Sequence, residues 1–314
     1  MKITYAFVLS ILVVAFCVPR ALEAQNKAAA ADSVAQLLKN VEQVRADASC
    51  DRTCLKDVMT KYLDSLVAHD PKKAPLAANV RFTEDAKELK VGEGFWKTAT
   101  KLRPFRTDFL DPQTETAAVH AVIEEGGKPI LFTGRLKVVD KKITEIETIV
   151  VHNQAEGALF APDALAAPSP AMVTPPRKDQ LTPRQQMIDV ALRYPGGLKV
   201  GSFEKSDVPF AKDAYRLENG VKMAGPGCTF QPPSCENMRS QRLPTLAGIK
   251  SRVIAVDEEN GTVLLWMDFG AGSLPRGEGK ALVTFEAFKV YGGEVHAVEA
   301  MFKGMPADTP PGWN

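Results

Sequence analysis

The chain has 314 residues, of which 45% are hydrophobic and 25% are charged, and its formal net charge is +1. This composition is that of an ordinary globular protein, and the length suits two domains that each have a core. Polyanions usually bind to a concentrated basic patch. A net charge of +1 gives no sign of such a patch, which argues against a nucleic-acid partner.

The first 24 residues have the features of a secretory signal peptide. Lys2 supplies a short positive region, residues 6–18 are apolar, and residues 22–24 (LEA) form a cleavage site. A lipoprotein anchor at Cys17 is the alternative, but Phe16 is bulkier than the small residue that normally precedes such a cysteine. We therefore expect cleavage after residue 24, a secreted or periplasmic protein, and no membrane span in the mature chain.

Four cysteines remain after this cleavage: Cys50, Cys54, Cys228 and Cys235. An even number of cysteines in an oxidising compartment favours disulfides. Four cysteines allow three pairings, and Cys50–Cys54 with Cys228–Cys235 is the one that joins cysteines already close in the sequence. A four-thiolate metal site is the rival interpretation, but neither spacing is the CxxC of structural zinc. No two histidines have metal-ligand spacing. We predict no metal and no cofactor.

The first half of the mature chain has helical periodicity followed by strand-like runs. Residues 25–49 predict a leader helix or tether, and apolar positions from Leu55 to Val67 predict an amphipathic helix. The strand-like runs extend from "NVRFTED" to "ITEIETIVVH" and are separated by short turns. Helices followed by a meander of long strands predict an α+β fold, with a curved antiparallel sheet over a helix.

The second half restarts the same pattern after a linker. Residues 158–180 contain five prolines and little periodicity, which is typical of a semi-rigid linker. "LTPRQQMIDVALRY" predicts a helix, which Pro195-Gly196-Gly197 is expected to break. Asn260-Gly261 lies between two strand-like runs and is typical of a type I′ hairpin turn.

The two halves are copies of one module. "KVVDKKITEIETIVV" from Lys137 aligns with "KVYGGEVHAVEAMFK" from Lys289 at an offset of 152. The offset is 146 between Asp111 and Asp257, and it is 134 between "PLAANVRFTED" and "PFAKDAYRLEN". The growing offset indicates insertions in the second copy at residues 228–235 and 270–280.

This repeat defines the predicted organisation of the chain. The segments are a signal peptide (1–24), a leader (25–49), a first module (50–156), a linker (157–180), a second module (181–306) with a disulfide-stapled loop (228–235), and a tail (307–314).

The helix-then-meander order, with "RFTED" after the first helices, resembles the NTF2-like (SnoaL-like) superfamily. The chain also resembles an uncharacterised family of secreted proteins with two NTF2-like modules, through "CDRTCL", "VRFTE", "RLENG", the C-x6-C loop, "VDEENGTVLLW" and the terminal "PPGW". The resemblance implies cone-shaped modules whose mouths open into apolar cavities, and modules that pair through their sheets. Active members of the superfamily place a carboxylate or a histidine with a tyrosine in the cavity. No catalytic motif carries over to this chain.

The candidate catalytic residues are His296, Glu299 and Glu218, all in the second copy. His296 lies on a largely apolar strand and is a possible general base. Glu299 and its counterpart Glu147 lie on apolar strand faces. Burial in a cavity would shift the pKa of such a carboxyl group and suit it to act as a base. The alternative is a structural ion pair, with Arg81 or Arg135 for Glu147 and with Arg216 for Glu299. The presence of the glutamate in both copies favours this structural role.

Further residues are candidates for binding a ligand in the cones. Glu84 and Glu218 precede turn residues and either orient the turn or line the mouth of the cone. Tyr62 and Tyr194 align on their helices and can donate to a ligand oxygen, or pack in the core. The full candidate ligand-binding set is Tyr62, Glu84, Trp96, Glu147, Tyr194, Arg216 and Trp266.

We therefore expect an exported protein with two modules that pack on each other. The first functional hypothesis is that a cone binds a small, mostly apolar organic molecule. The alternative is a cofactor-free isomerase or dehydratase that uses acid–base chemistry in the second cone, where the added loop and His296 lie.

Overall fold

The computed structural model describes Gln36, Lys39 and residues 49–230, 235–241, 243–273, 279–307 and 313. The predicted signal peptide lies outside these residues, and so does nearly all of the predicted leader helix. Within the described part, no helix is both long enough and apolar enough to cross a membrane.

The first module consists of one long helix and six strands, followed by a short helix. Its elements are α1 (Arg52–Val67), β1 (Leu76–Glu84), β2 (Lys87–Leu89), β3 (Ala99–Asp111), β4 (Thr116–Glu125), β5 (Lys128–Val139), β6 (Lys142–Val151) and α2 (Gln154–Gly157).

The second module repeats this order after a short linker helix. The elements are α3 (Pro170–Val173) in the linker, then α4 (Arg184–Val200), β7 (Phe210–Glu218), β8 (Val221–Ala224), β9 (Lys250–Asp257), β10 (Thr262–Asp268), β11 (Lys280–Tyr291) and β12 (Glu294–Pro306).

Both sheets have the same topology. The strand orders are β2-β1-β6-β5-β4-β3 and β8-β7-β12-β11-β10-β9. In each sheet the first strand pairs in parallel with the last, and the remaining pairs are antiparallel. The predicted α+β fold with two modules of one topology is confirmed, and each six-stranded sheet is mixed.

Three pairs of strand starts reproduce the offsets found in the sequence. β1 and β7 begin 134 residues apart, β4 and β10 begin 146 apart, and β6 and β12 begin 152 apart. The first increase falls between β8 and β9, where residues 225–249 replace the nine residues 90–98 of the first module. The disulfide Cys228–Cys235 lies in this longer segment, and Cys50–Cys54 joins the start of α1, so the local disulfide pairing is confirmed.

Two local expectations were wrong. The helix α4 continues through Pro195 to Val200. Tyr194, Pro195, Gly197 and Leu198 are all buried in this part of the helix, so tertiary packing overrides the local signal of the proline. The β9–β10 hairpin has a four-residue turn, because Asp257 pairs with Thr262. A type I′ turn would have only two residues between the strands.

Among the described residues, buried apolar side chains form three large cores and one small cluster. One lies between α1 and the first sheet, and one lies between α4 and the second sheet. The third contains residues of both sheets and of the linker, including Phe109, Ile149, Met172, Trp266 and Met301. The two sheets therefore pack on each other through the faces that do not contact α1 or α4.

Two matching ion pairs also join the modules. Both terminal nitrogens of Arg184 in α4 donate to Asp111 of the first module, at 2.9 and 2.6 Å. Arg52 of α1 donates to Asp257 of the second module. Each aspartate also accepts a backbone N–H from the other module. Reciprocal contacts of this kind are the mark of a two-fold interface, here formed within one chain.

The segment that leaves each sheet contacts the opposite module. After β6, the carbonyl oxygens of Gly157 and Leu159 accept from Asn219, the residue that follows β7. After β12, the indole nitrogen of Trp313 donates to Thr83 of β1 at 2.7 Å. The guanidinium groups of Arg81 and Arg135 lie over the Trp313 ring, 4.1 and 4.8 Å from its centroid.

Candidate functional site

The second module contains an open cleft of about 960 Å³ between α4, the sheet and the long β8–β9 segment. Most of its wall is apolar. The apolar lining residues are Ala155, Ala158, Leu159, Leu198, Met223, Phe230, Leu243, Pro244, Leu246, Phe269, Leu282 and Phe302.

The first module supplies one wall of this cleft. Gln154 and Ala155 of α2, with Ala158 and Leu159, line it from the segment that leaves the first sheet. Asn219 holds this segment through its amide group. The cleft is therefore a composite of both halves of the chain.

Three polar side chains meet at the floor of the cleft. Arg216 and Glu218 lie two residues apart on β7 and so point to the same face, while Tyr194 reaches them from α4. The Nε atom of Arg216 lies 2.6 Å from a carboxylate oxygen of Glu218, as an ion pair without good hydrogen-bond alignment. A terminal nitrogen of Arg216 donates to the Tyr194 hydroxyl oxygen at 3.3 Å.

Glu286 of β11 completes this group behind the floor. It is only 1% exposed, and it hydrogen-bonds with Tyr194. Burial, and then the negative charge of Glu218, raise the pKa of Glu286 to about 8, against the opposing effect of Arg216. The Glu286 side chain is therefore protonated at neutral pH. Glu218, Arg216, Tyr194 and Glu286 are called the polar floor below.

The first module keeps two of these four positions, as Tyr62 and Glu84, and differs at the other two. The offsets align Phe82 with Arg216 and Gly134 with Glu286, and both pairs have matching strand registers. Trp96 contacts Phe82 and Tyr62 in edge-on geometry, with ring centroids 6.1 and 5.3 Å apart. Aromatic rings thus occupy the space that is polar in the second module.

A backbone N–H group binds the carboxylate of Glu84, which is the counterpart of Glu218. Both of its carboxylate oxygens accept from the N–H of Phe95, at 3.1 and 3.0 Å. Gly94 permits this approach, because an added Cβ would lie 2.3 Å from the carboxylate. Burial raises the pKa of Glu84 to about 7. Tyr62 is buried nearby, and no hydrogen-bond partner is found for its hydroxyl among the described residues.

Glu147 lies between the two sheets and not in a cone. It accepts from Arg135 of its own sheet at 3.0 Å and from Arg252 of the second sheet at 2.8 Å. The guanidinium group of Arg252 also lies 5.5 Å from the centroid of Trp266. These contacts place both Glu147 and Trp266 in the interface between the modules.

Glu299 lies on the same side of the second sheet. It accepts from the hydroxyl of Tyr215 at 2.8 Å and hydrogen-bonds with Ser169 of the linker. Burial raises the pKa of Glu299. Its contacts are with the linker, and it does not line the cleft.

His296 lies at the hairpin between β11 and β12. Its ring stacks on Tyr291 with the centroids 3.5 Å apart, and its Nε2 atom is 3.1 Å from the Tyr291 carbonyl oxygen. Burial lowers the pKa of His296. It is absent from the residues that line the cleft.

The structure thus brings together three of the sequence candidates, Tyr194, Arg216 and Glu218. The fourth member of the polar floor, Glu286, was not found from the sequence. It is the one charged residue in the run "ALVTFEAF", and this isolated charge was an available signal. No cluster of side chains suited to a metal ion occurs among the residues that the structure describes.

The comparisons with known proteins concern mostly one module at a time. A family model described as "Domain of unknown function (DUF8021)" matches residues 180–302, which contain α4 and most of the second sheet. The comparison with curated proteins finds no similar sequence.

Several solved structures are similar to about a third of this chain. A putative hydroxylase from Streptomyces galilaeus is 11% identical, with a TM-score of 0.28, and the match covers 33% of this chain and 82% of that one. A putative ketosteroid isomerase from Kribbella flavida is 17% identical, with a TM-score of 0.27 and coverage of 33% and 82%. An NTF2-like protein of unknown function from Cytophaga hutchinsonii is 15% identical, with a TM-score of 0.23 and coverage of 32% and 91%.

Proposed function

We propose that the second module binds a small, mostly apolar organic molecule in its cleft. The observation that carries this proposal is the contrast between the two copies. The polar floor lies under an open cleft in the second module, and aromatic packing occupies the equivalent place in the first. An apolar pocket with a few convergent polar groups is the usual form of a small-molecule site.

A bulky residue at the rim of the cleft tests this proposal. Ala155 is exposed on α2 and lines the cleft, so Ala155→Trp would fill space with little effect on the core. Ala164 is equally exposed but does not line the cleft, so Ala164→Trp is the matched control.

The experiment measures what the secreted protein retains and binds. Native mass spectrometry of the purified protein should detect a bound small molecule, or an apolar fluorescent probe should bind with a defined stoichiometry. We expect Ala155→Trp to weaken binding at least tenfold and Ala164→Trp to leave it unchanged. Equal binding by all three proteins would refute the cleft as the site.

Acid–base catalysis in this cleft is the second candidate function. It is favoured by Glu218, a carboxylate that lines the cleft beside Tyr194 and is ion-paired with Arg216. A carboxylate held at a cleft can act as a general base. A molecule recovered from the cleft should then isomerise or lose one water. Glu218→Gln should stop this turnover while binding persists, and undiminished turnover would exclude Glu218 as the base.

We also propose that the protein is exported after cleavage near residue 24. Two local disulfides support an oxidising compartment, since cytosolic proteins rarely keep structural disulfides. N-terminal sequencing of the protein recovered outside the cytoplasm would test the cleavage site.

A further inference from the structure

We infer that the cleft of the second module selects uncharged molecules, in which an apolar body carries one hydroxyl or carbonyl group, over the matching acid or amine. This inference rests on the proposed function and names the class of ligand. It follows from the balance of charge on the polar floor.

The formal charges of the floor cancel. Arg216 and Glu218 are the only charged side chains among the described residues that line the cleft, and they form an ion pair. Tyr194 is neutral because burial raises its pKa, and Glu286 is protonated at neutral pH. One positive charge therefore faces one negative charge.

A charged ligand would disturb this balance. A carboxylate that reached Arg216 would place a second negative charge beside Glu218, and an ammonium group that reached Glu218 would oppose Arg216. Arg216 is 5% exposed and Glu218 is half-buried, so water screens little of the repulsion. An uncompensated charge at a poorly hydrated site is strongly unfavourable or forces a change of protonation.

A neutral polar group has a suitable partner on the same floor. Tyr194 lines the cleft, and its hydroxyl, which accepts from Arg216 and hydrogen-bonds with Glu286, has room for one more hydrogen bond. Glu286 lies behind the floor and does not itself line the cleft. An alcohol or a ketone can bond to Tyr194 without separating the ion pair.

The test compares three probes that share one alkyl chain: 1-octanol, octanoate and octylamine. Their binding to the full mature protein is measured at neutral pH by isothermal titration calorimetry. We expect 1-octanol to bind at least tenfold more tightly than either charged probe, and all three to weaken in Ala155→Trp. Octanoate or octylamine binding as tightly as 1-octanol would overturn the inference. If no probe binds, the proposed function fails and the inference falls with it.

Two isosteric variants test whether the charge of Glu218 determines the preference for uncharged ligands. Glu218→Gln leaves Arg216 unpaired, so the preference should shift at least tenfold toward octanoate. The control Glu204→Gln changes an exposed carboxylate that does not line the cleft, so the preference for 1-octanol should stay within about threefold. An unchanged preference in Glu218→Gln would show that the floor does not select by charge, even if the cleft still binds the probes.

Discussion

Replacing Glu286 by glutamine tests whether a protonated carboxyl group lies inside the second module. Glutamine has nearly the same shape and no titrating proton, so the packing around Tyr194 is retained. The pKa of Glu286 is raised from 4.5 to about 8, first by burial and then by the negative charge of Glu218. This difference links the protein's stability to pH.

The direction and size of the effect follow from the two pKa values. The folded chain holds the proton of Glu286 up to about pH 8, whereas the unfolded chain loses it near pH 4.5. The stabilisation is fully present below the unfolded pKa and is lost as the pH rises through the folded one, at about 1.4 kcal/mol per pH unit. Between about pH 6 and about pH 8, the natural protein should lose about 2 kcal/mol through this group.

Urea unfolding followed by tryptophan fluorescence measures this change, since the chain has three tryptophans. The quantity of interest is the difference in unfolding free energy between Glu286→Gln and the natural protein at each pH. Glu84, whose pKa is raised to about 7, titrates in both proteins and cancels in this difference. The exposed Glu204 gives a control variant, Glu204→Gln, with no expected pH dependence. A difference for Glu286→Gln that stays constant from about pH 6 to about pH 8 would refute the protonated carboxyl.

Two further predictions concern contacts between the modules. A double-mutant cycle of Asp111→Asn and Arg184→Gln should give a coupling energy of about 2 kcal/mol in urea unfolding, because the pair is bidentate and Asp111 is buried; a value near zero would mean that the pair behaves like an exposed one. Trp313→Ala should lower the unfolding free energy by about 3 kcal/mol, whereas Trp313→Phe should cost about 1 kcal/mol through the lost hydrogen bond to Thr83. Equal losses in the two Trp313 variants would contradict a role for the ring.

The repeat made the fold predictable from sequence. Matching segments at fixed offsets determined that both halves share one topology, and the increases in offset located the added segment between β8 and β9. Local sequence signals predicted the structure less well where tertiary packing determined the backbone conformation. Pro195 lies in the interior of α4, and the dipeptide Asn260-Gly261 belongs to a longer turn.

The positions of the candidate site residues were harder to predict, because several strands are buried on both faces. All seven residues of β10 are buried, as are ten of the twelve residues of β11. Hydrophobic alternation then cannot tell the face beneath a helix from the face against the other sheet. Glu147 and Glu299 lie on apolar faces as expected, but these faces form the interface between the modules.

Glu286 was missed for a related reason. Six of the ten candidate residues have the same residue type in the other copy, whereas the counterpart of Glu286 is Gly134. Its identity as a site residue depends on Tyr194 and Arg216, which come from distant parts of the chain. A single sequence does not reveal that these three side chains meet.

The reciprocal ion pairs of Arg52 and Arg184 have a consequence for how the two halves can differ. In an association of two identical chains, every substitution occurs twice, so a charged pair gained in one core is also imposed on the other. Covalent linkage removes that constraint. One half can keep Phe82 packed against Trp96, while the other half carries Arg216 beside an open cleft. The joined chain therefore combines the two-fold contacts of a symmetric dimer with two modules that carry different side chains at matching positions.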